Sequence, residues 1–168
     1  MKSSNWLRPI QFVLLVGCLT FGLSLSASGQ TTVTSTFTVS ATVQATCTIN
    51  PGNLSFGNIS TVAASSSSTV AVQCTNGTAY NVGLNAGTAT GASVTSRKMS
   101  GPGGALLNYG LFTDSGHTAN WGNTTGTDTV AGTGNGNTQS LTVYGLVSAG
   151  QFVAPGNYSD TITASIIY

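Results

Sequence analysis

The side chains able to do chemistry are few and scattered. One histidine occurs, His117, in the run Asp114-Ser115-Gly116-His117. Serines abound, so a Ser-His-Asp relay can be drawn on paper. Such a triad needs its base held by packed elements, and no nucleophile-elbow pattern is present. His117 reads instead as a solvated loop residue. The acidic residues are Asp114, Asp128 and Asp160, with no glutamate, and they lie far apart in sequence. A two-carboxylate site needs two of them to converge. Gly132-Thr133-Gly134-Asn135-Gly136-Asn137 lacks the lysine and the following helix of a phosphate loop. Trp121 with Tyr109 or Tyr158 could form a sugar-stacking platform, but a core or loop-anchoring role is the expectation. The sequence therefore predicts no catalytic residue, no cofactor and no metal site, and so no enzyme.

The cysteines are more informative, and their meaning depends on compartment. The first 29 residues read as an export segment: Lys2 and Arg8 give a positive start, an apolar run spans Ile10 to Leu25, and Ser26-Ala27-Ser28-Gly29 are small. Cleavage is expected after Gly29, with Ala27 as the alternative. A retained membrane anchor is the rival reading. Gly17, Thr20, Gly22 and Ser24 interrupt the run, and no cationic stop-transfer cluster follows it. Leu15-Val16-Gly17-Cys18 also fits a lipoprotein cleavage pattern, with Cys18 lipidated, although apolar sequence continues through Leu25. After export two cysteines remain, Cys47 and Cys74, which read most simply as one disulfide. Its loop closure stabilises a fold by roughly 3–4 kcal/mol in the chain-entropy model. A zinc site is the competing reading, and it lacks ligands.

The exported part, about 139 residues, is one domain's worth and can bury a core. Its charges are Arg97, Lys98 and the three aspartates, a net of −1. Two adjacent cations do not neutralise enough phosphates for nucleic-acid binding. Recurring Val, Ile, Leu and aromatic residues argue against disorder.

Any site must be positioned by strands. Thr31 to Asn50 has no Gly, Pro or charge, and alternates with period two. Val33, Phe37, Val39, Ala41, Val43, Ala45 and Cys47 share one face, interrupted only by Ser35, while the even positions are polar. That is the pattern of a half-buried strand. At ~3.3 Å per residue it spans roughly 66 Å, against ~17–20 Å for a typical strand. A domain of this size has a radius of gyration near ~14 Å. The segment therefore either breaks near Ala45, or its first half belongs to another molecule's structure.

Further strands follow between turn clusters. Thr69 to Cys74 and Tyr80 to Leu84 flank Asn76-Gly77, which signals a hairpin. Leu84 to Ser96 reads as a weak strand with a loop, and Ala105 to Thr113 as a strand with Leu107, Tyr109 and Leu111 inward. Asp114 to Asn137 reads as a long surface connection holding a short strand near 127–131. Gln139 to Val147 is a strand, and Tyr158 to Tyr168 is the last, with Ile162, Ala164, Ile166 and Tyr168 on one face. Six or seven short strands with such turns predict an all-β, antiparallel, immunoglobulin-like sandwich.

Ordered motifs then connect the chain to a family. They are Ala45-Thr46-Cys47-Thr48-Ile49, Leu54-Ser55-Phe56-Gly57, Val70-Ala71-Val72-Gln73-Cys74, Leu107-Asn108-Tyr109-Gly110-Leu111-Phe112-Thr113-Asp114, Val143-Tyr144-Gly145 and Pro155-Gly156-Asn157-Tyr158-Ser159-Asp160-Thr161-Ile162. With the alternating N-terminal segment before them, the chain resembles the spore coat protein U domain of secreted coat proteins and archaic chaperone–usher pilins. The resemblance implies a sandwich lacking one strand and completed by donor-strand exchange. Residues 30–45 form the donor strand, with Val33, Phe37, Val39, Ala41 and Val43 entering a neighbour's groove. Residues 46–168 form the sandwich, Cys47 and Cys74 pair, and Ile162, Ala164, Ile166 and Tyr168 line the acceptor groove and bind a periplasmic chaperone. An outer-membrane usher and a homopolymer of identical or related subunits complete the implied partners, with no nucleic acid and no membrane insertion after cleavage. The implied function is a cell-surface pilus subunit supporting adhesion and biofilm formation. The alternative is a secreted coat or matrix protein whose own N-terminal segment fills its groove.

Overall fold

The computed structural model describes residues 28–168. The export segment read at 1–29, with Cys18, lies outside the described residues except for Ser28 and Gly29. The chain divides between Ser40 and Ala41 into two units. Residues 28–46 form neither strand nor helix, and their side chains are exposed. Strand structure begins only at Cys47, so of the long alternating stretch only the last few residues pair within the chain.

Eight strands follow: β1 (Cys47–Pro51), β2 (Ala64–Cys74), β3 (Ala79–Leu84), β4 (Arg97–Ser100), β5 (Leu106–Phe112), β6 (Val130–Thr133), β7 (Gln139–Val147) and β8 (Ala164–Ile167). One short 3-10 turn at Pro102–Gly104 is the only helical element among the described residues. The strands form two antiparallel sheets, ordered β1-β2-β7-β5-β4 and β6-β3-β8. The expected all-β sandwich is therefore present, with one or two strands more than expected.

Alternation explains the packing. Val70, Val72 and Cys74 of β2 are buried while Thr69, Ala71 and Gln73 are not, and Leu107, Tyr109 and Leu111 of β5 likewise face inward. Together with Tyr80, Val82 and Leu84 of β3 and Val143 and Val147 of β7 they fill the space between the sheets. The β2–β7 pair, matched from Ala64↔Val147 to Val72↔Gln139, is the longest ladder.

Three local readings are corrected. Asn76-Gly77 does not close a hairpin, because β2 and β3 lie in different sheets. Gly77 takes the positive φ of 81° that a tight reversal needs, and Thr78 N–H donates to Thr75 O. A turn signal fixes the reversal but not the sheet that receives the next strand. The stretch 114–137 is not wholly superficial. Trp121 has no exposed surface, donates from Nε1 to Val82 O at 2.9 Å, and joins the core. The last strand is shorter than Tyr158 to Tyr168, because Asp160, Thr161 and Thr163 bond to the Thr88 and Asn85 loop or to each other rather than to a strand.

Candidate strand-binding groove

The sandwich leaves a cavity along one seam. β1 and β8 are sheet edges, one from each sheet, and they approach each other without pairing. β8 bonds to β3 alone, from Asn81↔Ile167 to Leu84↔Ala164, so its outer row of main-chain groups has no strand partner among the described residues. A cavity of about 330 Å³ opens beside it. The buried Val70, Leu84, Tyr109, Leu111 and Val143 reach it from the core. Leu54 and Phe56 border it after β1, Met99 from β4, and Tyr158, Ile162 and Ala164 from the approach to β8 and its first residue. Protein interiors rarely hold voids much larger than a water, since lining atoms lose their dispersion contacts. This half-open cavity has a lining of mixed polar and apolar character and lies beside the two sheet edges.

Two polar groups of the lining, Asp160 and Tyr109, are already paired. Asp160 accepts from Thr88 N–H at 2.8 Å, Thr88 hydroxyl at 2.9 Å and Tyr109 hydroxyl at 2.7 Å. Burial works to raise its carboxyl, but bonds from Thr88 N–H, Tyr109 hydroxyl, Thr88 hydroxyl and Thr161 N–H outweigh that and hold it below the usual carboxylate range. Burial, followed by the bond to Asp160, pushes the Tyr109 phenol well above its ordinary value. Tyr109 thus stays neutral, a donor fixed against a carboxylate. Behind it lies Arg97, with no exposed surface. Its Nε donates to Asn85 O, Nη1 to Val94 O, and Nη2 to both Leu84 O and Trp121 O, at 2.7–2.8 Å. Burial lowers its basicity, opposed by Tyr109, Asp160 and Asp128.

Of the residues expected to line the groove, Ile162 and Ala164 border the cavity. Ile166 packs against the core but outside the cavity lining, and Tyr168 is 58% exposed. Of the residues expected on the donor face, Val33 is 94% and Phe37 87% exposed, and Val39, Ala41 and Val43 are also exposed. Cys47 and Cys74 form the expected disulfide and are register partners of β1 and β2. Sequence reasoning did not assign Leu54, Phe56, Tyr109, Tyr158 or Asp160 to the groove. Leu54 and Phe56 lie in a segment without strand pairing, and their signal was membership of the ordered motifs, while Tyr158 shares the even-numbered face read for the last strand. His117 stacks edge-on against Phe112 with ring centroids 5.3 Å apart, while Asp114 accepts from the Thr118 and Ala119 N–H groups.

Fold and site together define a class: an antiparallel immunoglobulin-like sandwich with a groove left open beside two edge strands. The family model of the Spore Coat Protein U domain matches residues 33–165, and the chain belongs to that family. It is also similar to a chain in the crystal structure of the CsuC-CsuE chaperone–tip adhesion subunit pre-assembly complex from archaic chaperone–usher Csu pili of Acinetobacter baumannii. The TM-score is 0.55 with 21% identity, over 76% of this chain and 41% of that one. The likeness is one of fold, and this chain spans less than half of that chain's length. A comparison with curated proteins returned no match.

Proposed function

We propose that the chain is a structural pilus subunit that polymerises head to tail by donor-strand complementation. The observation that carries the reading is the presence, in one molecule, of an open groove beside an unpaired sheet edge and of an exposed, unpaired, alternating segment. Residues 30–45 of one copy enter the groove of the next, where main-chain bonds extend the sheet and alternate side chains fill the cavity. Each buried Val or Phe contributes on the order of 1.5–3 kcal/mol before ordering costs. Donor and acceptor surfaces differ, so the contact does not close on itself and builds a filament. Before assembly the free edge and groove are an aggregation hazard. A periplasmic chaperone covering them, and an outer-membrane usher exchanging it for the next donor, answer that hazard. Export through the periplasm to the cell surface follows, with adhesion and biofilm formation as the filament's uses.

Deleting residues 30–44 tests the reading. The expected product is exported, disulfide-bonded subunit that binds chaperone and never forms filaments. Filaments from the truncated chain would contradict the donor role. The family's description as a spore coat domain favours a second reading, a secreted coat protein that fills its own groove. In that case the deletion yields unstable monomers, and the intact chain remains monomeric.

A further inference from the structure

Cys47 opens β1 and Cys74 closes β2, so the disulfide lies at the point where residues 30–45 join the sandwich. β1 itself is weakly held. It is five residues long, lies at a sheet edge, and pairs with β2 alone. β2 is held far better, through nine register pairs with β7. Beyond Cys74 the Thr75–Thr78 turn leads into the other sheet and is tied to the Gly134–Gly136 turn. Gly77 N–H donates to Gly134 O at 2.9 Å, Gly134 N–H to Thr78 O at 2.8 Å, and Gly136 N–H to Cys74 O at 3.1 Å. Cys74 therefore sits where both sheets are bound together. At its other end β1 runs directly into the groove wall, through Pro51, Leu54 and Phe56.

We infer that the Cys47–Cys74 disulfide is a tension-carrying joint, diverting pull along residues 30–45 away from edge strand β1 and into the β2–β7 pair. The inference rests on the head-to-tail filament proposed above. Where the pull runs across the strands, an antiparallel pair opens one residue pair at a time, and each hydrogen bond holds little on its own. A covalent link at the pulled end keeps that load off β1. Without it, peeling proceeds from Thr48 towards Pro51 and dismantles the groove wall. The subunit then loses its hold on the neighbour's strand as well.

The test pulls single wild-type filaments before and after treatment with tris(2-carboxyethyl)phosphine. The rupture-force distribution is expected to shift to lower force, while unloaded filaments keep their length in the same reductant. A second arm moves the link to the next cross-strand pair but two, replacing Cys47 and Cys74 by Ala and introducing Asn50→Cys with Ala71→Cys, which are register partners. That variant stops peeling at Asn50, ahead of the groove wall, and still passes the load into β2, so its filaments are expected to hold close to the force of oxidised wild type and to weaken on reduction. Unchanged rupture force after reduction, a relocated variant that breaks as easily as reduced wild type, or dissolution of unloaded filaments by reductant would each overturn the inference. A wild-type chain that forms no filaments would instead overturn the filament reading, and this inference with it.

Discussion

A guanidinium cut off from solvent must find acceptors for its N–H groups, and Arg97 finds four main-chain carbonyls. These belong to the end of β3, the loop before β4 and Trp121, so one side chain joins three separate stretches. Each buried acceptor left without a partner costs about 1–3 kcal/mol. Arg97→Met is therefore expected to destabilise the fold by at least about 3 kcal/mol, read as a lower urea midpoint at unchanged slope. Asp160 makes a prediction about acid. Its folded carboxyl lies below the unfolded value, so its contribution is complete above about pH 4 and is lost as pH falls through the depressed folded value. Asp160→Asn is expected to flatten part of the stability loss below about pH 4, measured by thermal melts across acid pH. The remainder comes in part from Asp114, whose carboxyl is lowered first by the Ala119 N–H. Neither role is legible in sequence. Arg97 beside Lys98 looks like surface charge, and only the folded chain brings Asp160 to Tyr109 and Thr88.

At the scale of elements, legibility followed period. β7 is found where alternation placed it, at Gln139–Val147, and the inward residues of β5 are those expected. Period failed where side chains were small or the backbone special. Ser65–Ser68 of β2 gives no apolar signal, yet it pairs with β7 through residues 143–146. The polar segment 114–137 hides one large residue, Trp121, which returns to β5 by donating its N–H to Leu111 O and reaches β3 through its indole. Trp121 thus links both sheets from within a stretch that otherwise reads as loop. Trp121→Ala is expected to cost about 3–5 kcal/mol in chemical denaturation, as for other fully buried large side chains. A loss under about 1 kcal/mol would mean that the core closes around the gap.

At the scale of the whole molecule, the alternating segment has no partner strand among the described residues. Its apolar face was visible in sequence, as was its excess length for one strand. The groove was not, because it is an absence: a cavity between edges contributed by residues from β1 to β8, which no local pattern encodes. The resemblance to a family supplied the expectation of a missing strand, and the folded chain supplies an open seam of matching character. Whether segment and seam meet, and in which copies, is directly measurable. A photoreactive benzoylphenylalanine placed at Phe37 in the full chain, irradiated after export, reports the residue that position touches. The account predicts a ladder of covalent multimers, with mass-spectrometric crosslinks from position 37 of one subunit to groove residues such as Leu54, Ile162 or Ala164 of another. Crosslinks confined to single chains, with no ladder, would contradict it.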